Sequence, residues 1–239
     1  MILGNVGAVL WRAGKLKEAI GSLEKCLEIQ EHLSPTKKTE VAKTLYSLGL
    51  ARILQCDFGK ALEALTRAEN ILLSVHGESH VEVARIEDAL GKCFVAKGDP
   101  FRAMEYYSKA LKIKTSLFGE RNSSVLSTKM NIAAAYRSRH DLDEALIIYR
   151  EVLGVQKLNS CWEVDQDSRK QLTEDITTTL QMITEVQREK MNYYGGINAI
   201  REEKKESENV HQSAKKVWDS SHSIHPLNKS SSISFLAEY

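Results

Sequence analysis

The chain has 239 residues, enough for one or two domains, and its 42% hydrophobic and 27% charged residues are ordinary for a soluble globular protein. Its 33 basic and 32 acidic residues give a formal net charge of +1, so the overall balance gives no indication of a nucleic-acid or anionic-membrane partner. Four widely spaced cysteines and the absence of alternating strand-like runs favour an almost wholly helical, cytoplasmic protein with reduced thiols.

The predicted helices come in pairs, beginning with the apolar opening of the chain. Residues 1–13 lack a basic leader and are too short to span a bilayer, so we interpret them as a first core helix; because this helix has no N-cap, we expect the chain to be part of something longer. The third pair has the clearest turn, since Asp99 can cap a helix in which Pro100 takes the first position. The predicted helices span residues 1–13 and 16–32, 39–55 and 58–74, 81–97 and 100–116, and 123–139 and 142–157.

One pattern repeats through all four pairs with a period of 42 residues. Such a period, built from helix pairs, predicts an all-α fold, a right-handed α-solenoid in which each pair buries its apolar face against its neighbours. The turns between paired helices also repeat, with Cys56, Gly98 and His140 in one column. The columns that define the period are Ala19, Ala61, Ala103 and Ala145; Leu23, Leu65, Tyr107 and Tyr149; and Cys26, Ala68, Ala110 and Val152.

The period ends near residue 157, and the remainder divides into two parts. Residues 158–190 contain a linker and a long amphipathic helix over 168–190, which suits the polar-backed cap that a solenoid requires. Residues 191–239 carry mixed charges and serine clusters, a composition that predicts a disordered tail. The apolar face of the long helix consists of Leu172, Ile176, Leu180, Ile183 and Val186.

The repeated columns resemble the tetratricopeptide repeat, and the 42-residue spacing is similar to its kinesin-light-chain variety. The linker over residues 76–84 is similar to that family's connection between units, and the next linker keeps Gly119 and Val125 but has Ser123 where we expect the histidine. The resemblance covers residues 1–157. It implies a non-catalytic protein-protein interaction scaffold or adaptor that holds a partner peptide in a concave groove.

The chain offers little sign of catalytic or metal-binding chemistry. His76 and His80 are four residues apart, but a glycine intervenes and no third ligand follows, so we favour a linker histidine that caps the next helix over a zinc site. Neither a phosphate-binding glycine loop nor a nucleophile elbow is present. We therefore expect no enzyme activity, no cofactor and no metal. Cys26 is interpreted as a packing residue and Cys56 as an exposed turn thiol.

The resemblance also implies which side chains line the groove, because the first helix of each pair faces it in this family. Within this set, Lys43, Arg85, Lys92 and Arg137 outnumber Asp88, which favours an acidic peptide. The implied groove residues are Asn5 and Trp11 with Gly4 and Ala8; Lys43, Tyr46, Ser47 and Leu50; Arg85, Asp88 and Lys92 with Ala89; and Met130, Asn131 and Arg137 with Ser127 and Ala134.

An alternative function remains open for the same fold. The solenoid could be a structural assembly element that self-associates through an exposed helix, or one part of a larger multidomain protein. Ile2, Val6 and Val9 in the first helix would then be covered by a partner. Neither hypothesis involves membrane insertion.

Overall fold

The computed structural model describes residues 16–33, 38–162, 165–194, 210 and 212–213, and the regular secondary structure within them is α-helical. The chain divides into two compact units, Met1–Val186 and Gln187–Tyr239. The helix predicted over residues 1–13 and nearly all of the tail predicted to be disordered lie outside the described residues.

The described part of the first unit is a series of stacked helix pairs. Successive helices α2/α3, α4/α5 and α6/α7 pack against each other within pairs, and α1 packs against α2. The first helices of neighbouring pairs, α2 with α4 and α4 with α6, are also in contact, which confirms the predicted α-solenoid. The helices are α1 (Leu16–Leu33), α2 (Lys38–Leu54), α3 (Phe58–His76), α4 (Val81–Lys97), α5 (Pro100–Phe118), α6 (Ser123–Ser138), α7 (Leu142–Trp162) and α8 (Gln166–Tyr194).

The turns within pairs repeat in backbone conformation as well as in sequence position. Cys56, Gly98 and His140 have φ values of 61°, 88° and 64°, so all three occupy the left-handed region that glycine adopts most easily. The side chain of Asp99 then accepts a hydrogen bond from the backbone N–H of Arg102 at 3.2 Å, as expected for a helix cap. The backbone conformation of the turn therefore repeats every 42 residues, and Cys56 and His140 adopt it although they are not glycine.

The linkers between pairs are also built alike. Gly77 and Gly119 end α3 and α5 with φ values of 76° and 78°, and each backbone N–H bonds back into its helix. His80 caps α4 as predicted, since its Nδ1 accepts from the N–H of Glu82 at 3.2 Å. The expectation that Ser123 replaces the histidine is wrong. Asn122 lies one period after His80 and caps α6, with Oδ1 2.9 Å from the N–H of Ser124.

Small residues allow close approach of the paired helices. Ala103 is fully buried, as are its equivalents in the other pairs. At Gly91, a Cβ atom would lie 2.4 Å from Cε1 of Tyr107, and at Gly49 it would lie 2.6 Å from Cγ of Leu65. These two glycines are therefore needed because the facing side chains occupy the space that a methyl group would fill.

The helix α7 is one turn longer than the sequence predicts. It continues to Trp162, and Asn159 in the added turn donates to the carbonyl of Arg121 at 2.9 Å while accepting from its Nε at 3.0 Å. These bonds attach the end of α7 to the linker between α5 and α6. The added turn thus has partners that lie 38 residues away in the sequence.

The long amphipathic helix exists as α8, which runs from Gln166 to Tyr194. Ile183 and Val186 are buried against α6 and α7, and Ile176 and Leu180 pack beside them. The predicted apolar face therefore makes the contact with the last helix pair. No helix among the described residues combines the length and the apolar character needed to cross a membrane.

Candidate binding groove

Two neighbouring clefts open beside the first helices of the pairs, and they share Tyr46 and Arg85. The smaller cleft, of about 240 Å³, lies among α2, α3 and α4, and its lining residues are Ala42, Lys43, Tyr46, Ser47, Leu72, Glu82, Arg85 and Ile86. The larger cleft, of about 390 Å³, lies among α2, α4, α5 and α6, and its lining residues are Tyr46, Leu50, Val81, Arg85, Asp88, Ala89, Lys92, Lys114, Phe118, Asn122, Ser124 and Ser127.

The two clefts bring together the groove residues implied for the second and third pairs. Four of them border the smaller cleft and six border the larger one, with two in common. The smaller cleft takes Lys43 and Ser47, the larger takes Leu50, Asp88, Ala89 and Lys92, and both contain Tyr46 and Arg85.

Of the groove residues implied for the fourth pair, Ser127 borders the larger cleft, whereas Met130, Asn131 and Arg137 do not. Asn5 and Trp11 lie outside the described residues. Met130 packs against α8, where its sulfur lies 3.8 Å from Oγ1 of Thr179. Asn131 is half-buried and borders neither cleft.

Arg137 is held by α8 as well. Its guanidinium forms an ion pair with Glu185 at 3.1 Å. Because the sequence places α8 after the repeats without showing which surface it covers, these contacts on α6 were not predicted. Met130 and Arg137 therefore serve the contact between α6 and α8 in this structure.

Arg85 and Tyr46 form the centre shared by both clefts. The Arg85 guanidinium lies 5.4 Å from the centroid of the Tyr46 ring, which is within cation-π distance. It also forms an ion pair with Glu82 at 3.7 Å, although more than half of the Arg85 side chain stays exposed. Burial raises the pKa of Tyr46 and the Arg85 charge partly opposes this, so the phenol remains protonated and can donate a hydrogen bond into the clefts.

An ion pair in the wall of the larger cleft was not predicted. Lys114 of α5 bonds the carboxylate of Asp88 in α4, and its Nζ also lies 2.8 Å from Oγ1 of Thr128 in α6. Oγ1 of Thr128 lies 3.0 Å from Oδ1 of Asp88, which closes a three-membered network across three helices. The side chains of Lys114 and Asp88 are only 6% and 13% exposed.

The sequence did contain a signal for this network. One period before Lys114 is Leu72, and one period before Thr128 is Ile86, both of which are buried. A charged and a polar residue thus occupy columns that are apolar in the preceding pair. Such a substitution in a repeat indicates either a partner within the protein or a ligand outside it.

The charge of the larger cleft follows from these contacts. Lys114 balances Asp88, while Arg85 and Lys92 extend from α4 at positions seven residues apart and lie on one face of that helix. Cations therefore outnumber carboxylates among the residues that line this cleft. Leu50, Val81 and Phe118 add an apolar wall.

His76 and His80, the two histidines spaced like zinc ligands, lie at the junction between α3 and α4 and contact each other. The rings of His76 and His80 stack with their centroids 4.1 Å apart and their planes 13° from parallel. The backbone N–H of Glu82 already occupies Nδ1 of His80. Within the described ranges, no three His, Cys, Asp or Glu side chains are grouped closely enough to hold a metal ion.

Comparisons with known proteins agree with the repeat pattern. The tetratricopeptide repeat model matches residues 1–74, 40–116 and 82–157. Compared with the curated protein sequences, the chain has no significant match.

Solved structures of similar fold come from several sources, all at low sequence identity. BtubC (BKLC) from P. vanneervenii superposes with a TM-score of 0.69 at 20% identity, covering 99% of this chain and 86% of that one. Kinesin light chain-like TPR repeats from Podosopora anserina give a TM-score of 0.60 at 16% identity, covering 86% and 94%. The Rap conjugation gene regulator of plasmid pLS20, solved in complex with the Phr* peptide, gives 0.55 at 13% identity, covering 91% and 64%.

Proposed function

This chain belongs to the tetratricopeptide repeat family, and we propose that it is a non-catalytic scaffold that binds an acidic peptide segment of a partner protein in the two clefts beside α2 and α4. The observation that carries the proposal is the excess of cations over carboxylates in the larger cleft. Complementary charge steers a partner to such a surface and selects against partners of the wrong sign.

The shape of the two clefts supports an elongated ligand. They adjoin at Tyr46 and Arg85, so together they offer a continuous path past three first helices. Along that path Lys43, Arg85 and Lys92 supply positive charge, and the Tyr46 hydroxyl supplies a hydrogen-bond donor. A structural neighbour of this fold was solved with a peptide bound, which is consistent with this use of the fold.

The remaining parts of the chain take supporting roles in the proposal. The domain division that goes with this proposal is the one expected from the sequence: repeats over residues 1–157, a linker and capping helix over 158–190, and a serine-rich tail over 191–239. We place the protein in the cytoplasm because Cys26, Cys56, Cys93 and Cys161 are all free thiols.

The test is a charge reversal on α4. The double variant Arg85→Glu/Lys92→Glu should bind a fluorescein-labelled glutamate-rich peptide at least about tenfold more weakly than the parent, because both cations of the exposed stripe become repulsive. Binding is measured by fluorescence anisotropy, and a glutamine-rich peptide of equal length reports the contribution of charge.

A matched control uses a cation outside the clefts. Lys112→Glu changes an exposed lysine on α5 that lines neither cleft, so its affinity should stay near that of the parent. Circular dichroism checks that helicity is kept. Equal affinity of the parent and the double variant would contradict the groove assignment. A mass that rises with concentration in light scattering, without peptide binding, would favour self-association instead.

A further inference from the structure

The larger cleft contains a group that should oppose an acidic ligand. Asp88 lies on the same helix as Arg85 and Lys92, between them in sequence, and it lines the same cleft. A carboxylate among cations lowers the positive potential that an anion experiences, and more strongly where water is partly excluded. Whether the larger cleft prefers anionic ligands therefore depends on whether the Asp88 charge is neutralised.

Lys114 neutralises the charge of Asp88 through direct contact. Its ammonium group bonds the Asp88 carboxylate directly, and Ser124 contributes its backbone carbonyl at 3.4 Å from Nζ. With Oγ1 of Thr128 at 2.8 Å, all three donors of the ammonium group have an acceptor, so Lys114 is fixed in place. Nearly the whole Lys114 side chain is buried, so its charge is little screened by water.

The smaller cleft indicates that helix stacking does not require this ion pair. One period earlier, Tyr46, Leu72 and Ile86 hold the positions of Asp88, Lys114 and Thr128 and fill that space with mainly apolar groups. Buried ion pairs give little net stability compared with well-packed apolar residues. What distinguishes the Lys114 arrangement is therefore its charge.

We infer that Lys114 determines the charge preference of the larger cleft: by neutralising Asp88, it leaves Lys92, together with the exposed Arg85 that Glu82 pairs at 3.7 Å, to set a positive potential that selects anionic groups. That the selected anion is an acidic peptide rests on the proposed function, whereas the charge preference itself does not. Lys114 acts through Asp88 and is a positioning and specificity residue.

The potential in the cleft can be measured without a natural ligand. A thiol is introduced by Ser127→Cys, because Ser127 is exposed and lines the larger cleft, in a background where the exposed Cys56 and Cys161 are changed to serine. Cys26 and Cys93 are buried. The probe is the ratio of reaction rates with dithiobisnitrobenzoate, which is anionic, and dithiodipyridine, which is neutral.

The two members of the pair should shift this ratio in opposite directions. Lys114→Met leaves the Asp88 carboxylate uncompensated and should lower the ratio about threefold to tenfold, whereas Asp88→Asn should raise it by a similar factor. The double variant Asp88→Asn/Lys114→Met should return to the parental ratio. Lys112→Met, an exposed lysine on the same helix, should leave it unchanged because Lys112 does not line the cleft.

A purely structural role of Lys114 predicts a different pattern. Loss of packing would speed both reagents together and leave their ratio constant, so an unchanged ratio in Asp88→Asn and Lys114→Met would overturn the inference. If Lys114→Met fails to fold, Asp88→Asn and the double variant still decide, since the first should raise the ratio and the second restore it.

The outcome is separable from that of the proposed function. If the ratios move as expected but the glutamate-rich peptide does not bind, the charge preference stands and the peptide proposal fails. If the peptide binds and Arg85→Glu/Lys92→Glu weakens it while the ratios stay constant, the peptide proposal stands and the role of Lys114 is wrong.

Discussion

The two clefts lie one period apart, yet equivalent buried positions in their walls carry different chemistry. In the smaller cleft the space between successive pairs is filled by Tyr46, Leu72 and Ile86, whereas in the larger cleft the equivalent residues form a charged network. The backbone of the repeat thus provides a similar recess at these two places. A few substitutions at fixed columns decide whether its buried wall is apolar or charged.

The largest expected effect comes from breaking the charged wall. Lys114→Met leaves the largely buried Asp88 without its cation and should lower the free energy of unfolding by about 3 kcal/mol. Its counterpart Leu72→Met keeps an apolar side chain in the smaller cleft and should cost less than about 1.5 kcal/mol. Urea denaturation followed by circular dichroism measures both.

The double variant tests whether charge is the cause. Asp88→Asn/Lys114→Met removes both charges and should recover much of the stability lost in Lys114→Met. If the double variant is as unstable as the single one, or if Leu72→Met costs as much as Lys114→Met, then the walls differ in packing and charge is not the deciding property.

A second prediction compares the tight helix contacts of the same two pairs. Gly91→Ala places a methyl group against the rigid ring of Tyr107 and should cost about 2 kcal/mol through overpacking. Gly49→Ala places the methyl group against Leu65, which has no rigid ring and whose nearest atom lies at 2.6 Å rather than 2.4 Å, and should cost less, about 1 kcal/mol. Thermal unfolding of the two variants measures the difference, and equal losses would show that the ring of Tyr107 is as adaptable as the leucine.

The third prediction concerns a buried acid that further separates the two pairs. Glu87 in α4 is 4% exposed, and one period earlier the equivalent residue is the buried Leu45. Burial first, and the neighbouring Glu69 of α3 second, raise the pKa of Glu87 from 4.5 to about 8. Lys109 of α5 opposes this shift, and Asp88 adds to it.

The sign of the pH dependence follows from the raised pKa. Between pH 4.5 and about 8 the unfolded chain loses the Glu87 proton while the folded chain keeps it, so the contribution of this group to stability falls as pH rises. Glu87→Gln should therefore stabilise the protein by an amount that grows as the pH rises from 4.5 to about 8, and it should have little effect near pH 4.5. Melting temperatures of parent and variant across this range measure it. A gain that is constant with pH would contradict the ionisation of Glu87 as its cause.

The repeat pattern predicted those features that are set locally and recur. Most helix boundaries before the end of α7, the capping role of His80 and the turn positions of Cys56 and His140 follow from residues close together in sequence. Tyr46 and Arg85, which the family resemblance implied as groove residues, both border the two clefts because each lies on the first helix of its pair.

The features that were missed depend on contacts between distant segments. Lys114 meets Asp88 across 26 residues, and a lysine on a helix gives no indication of which carboxylate it will approach. Likewise, Arg137 meets Glu185 across 48 residues because α8 returns to α6. Neither contact follows from periodicity, since periodicity describes neighbours in the stack and carries no information on a helix that lies outside it.

The matching linkers have a consequence for how such a chain can change in length. Gly77 and Gly119 share one backbone conformation, and His80 and Asn122 cap the following helices in the same way. Deleting residues 78–119 would join α3 to α6 through a linker of the kind that each already has, and duplicating them would do the same in reverse. Whole repeats can therefore be lost or gained without the need for a new junction, but each such step also rebuilds the clefts, because α4 contributes side chains to both of them.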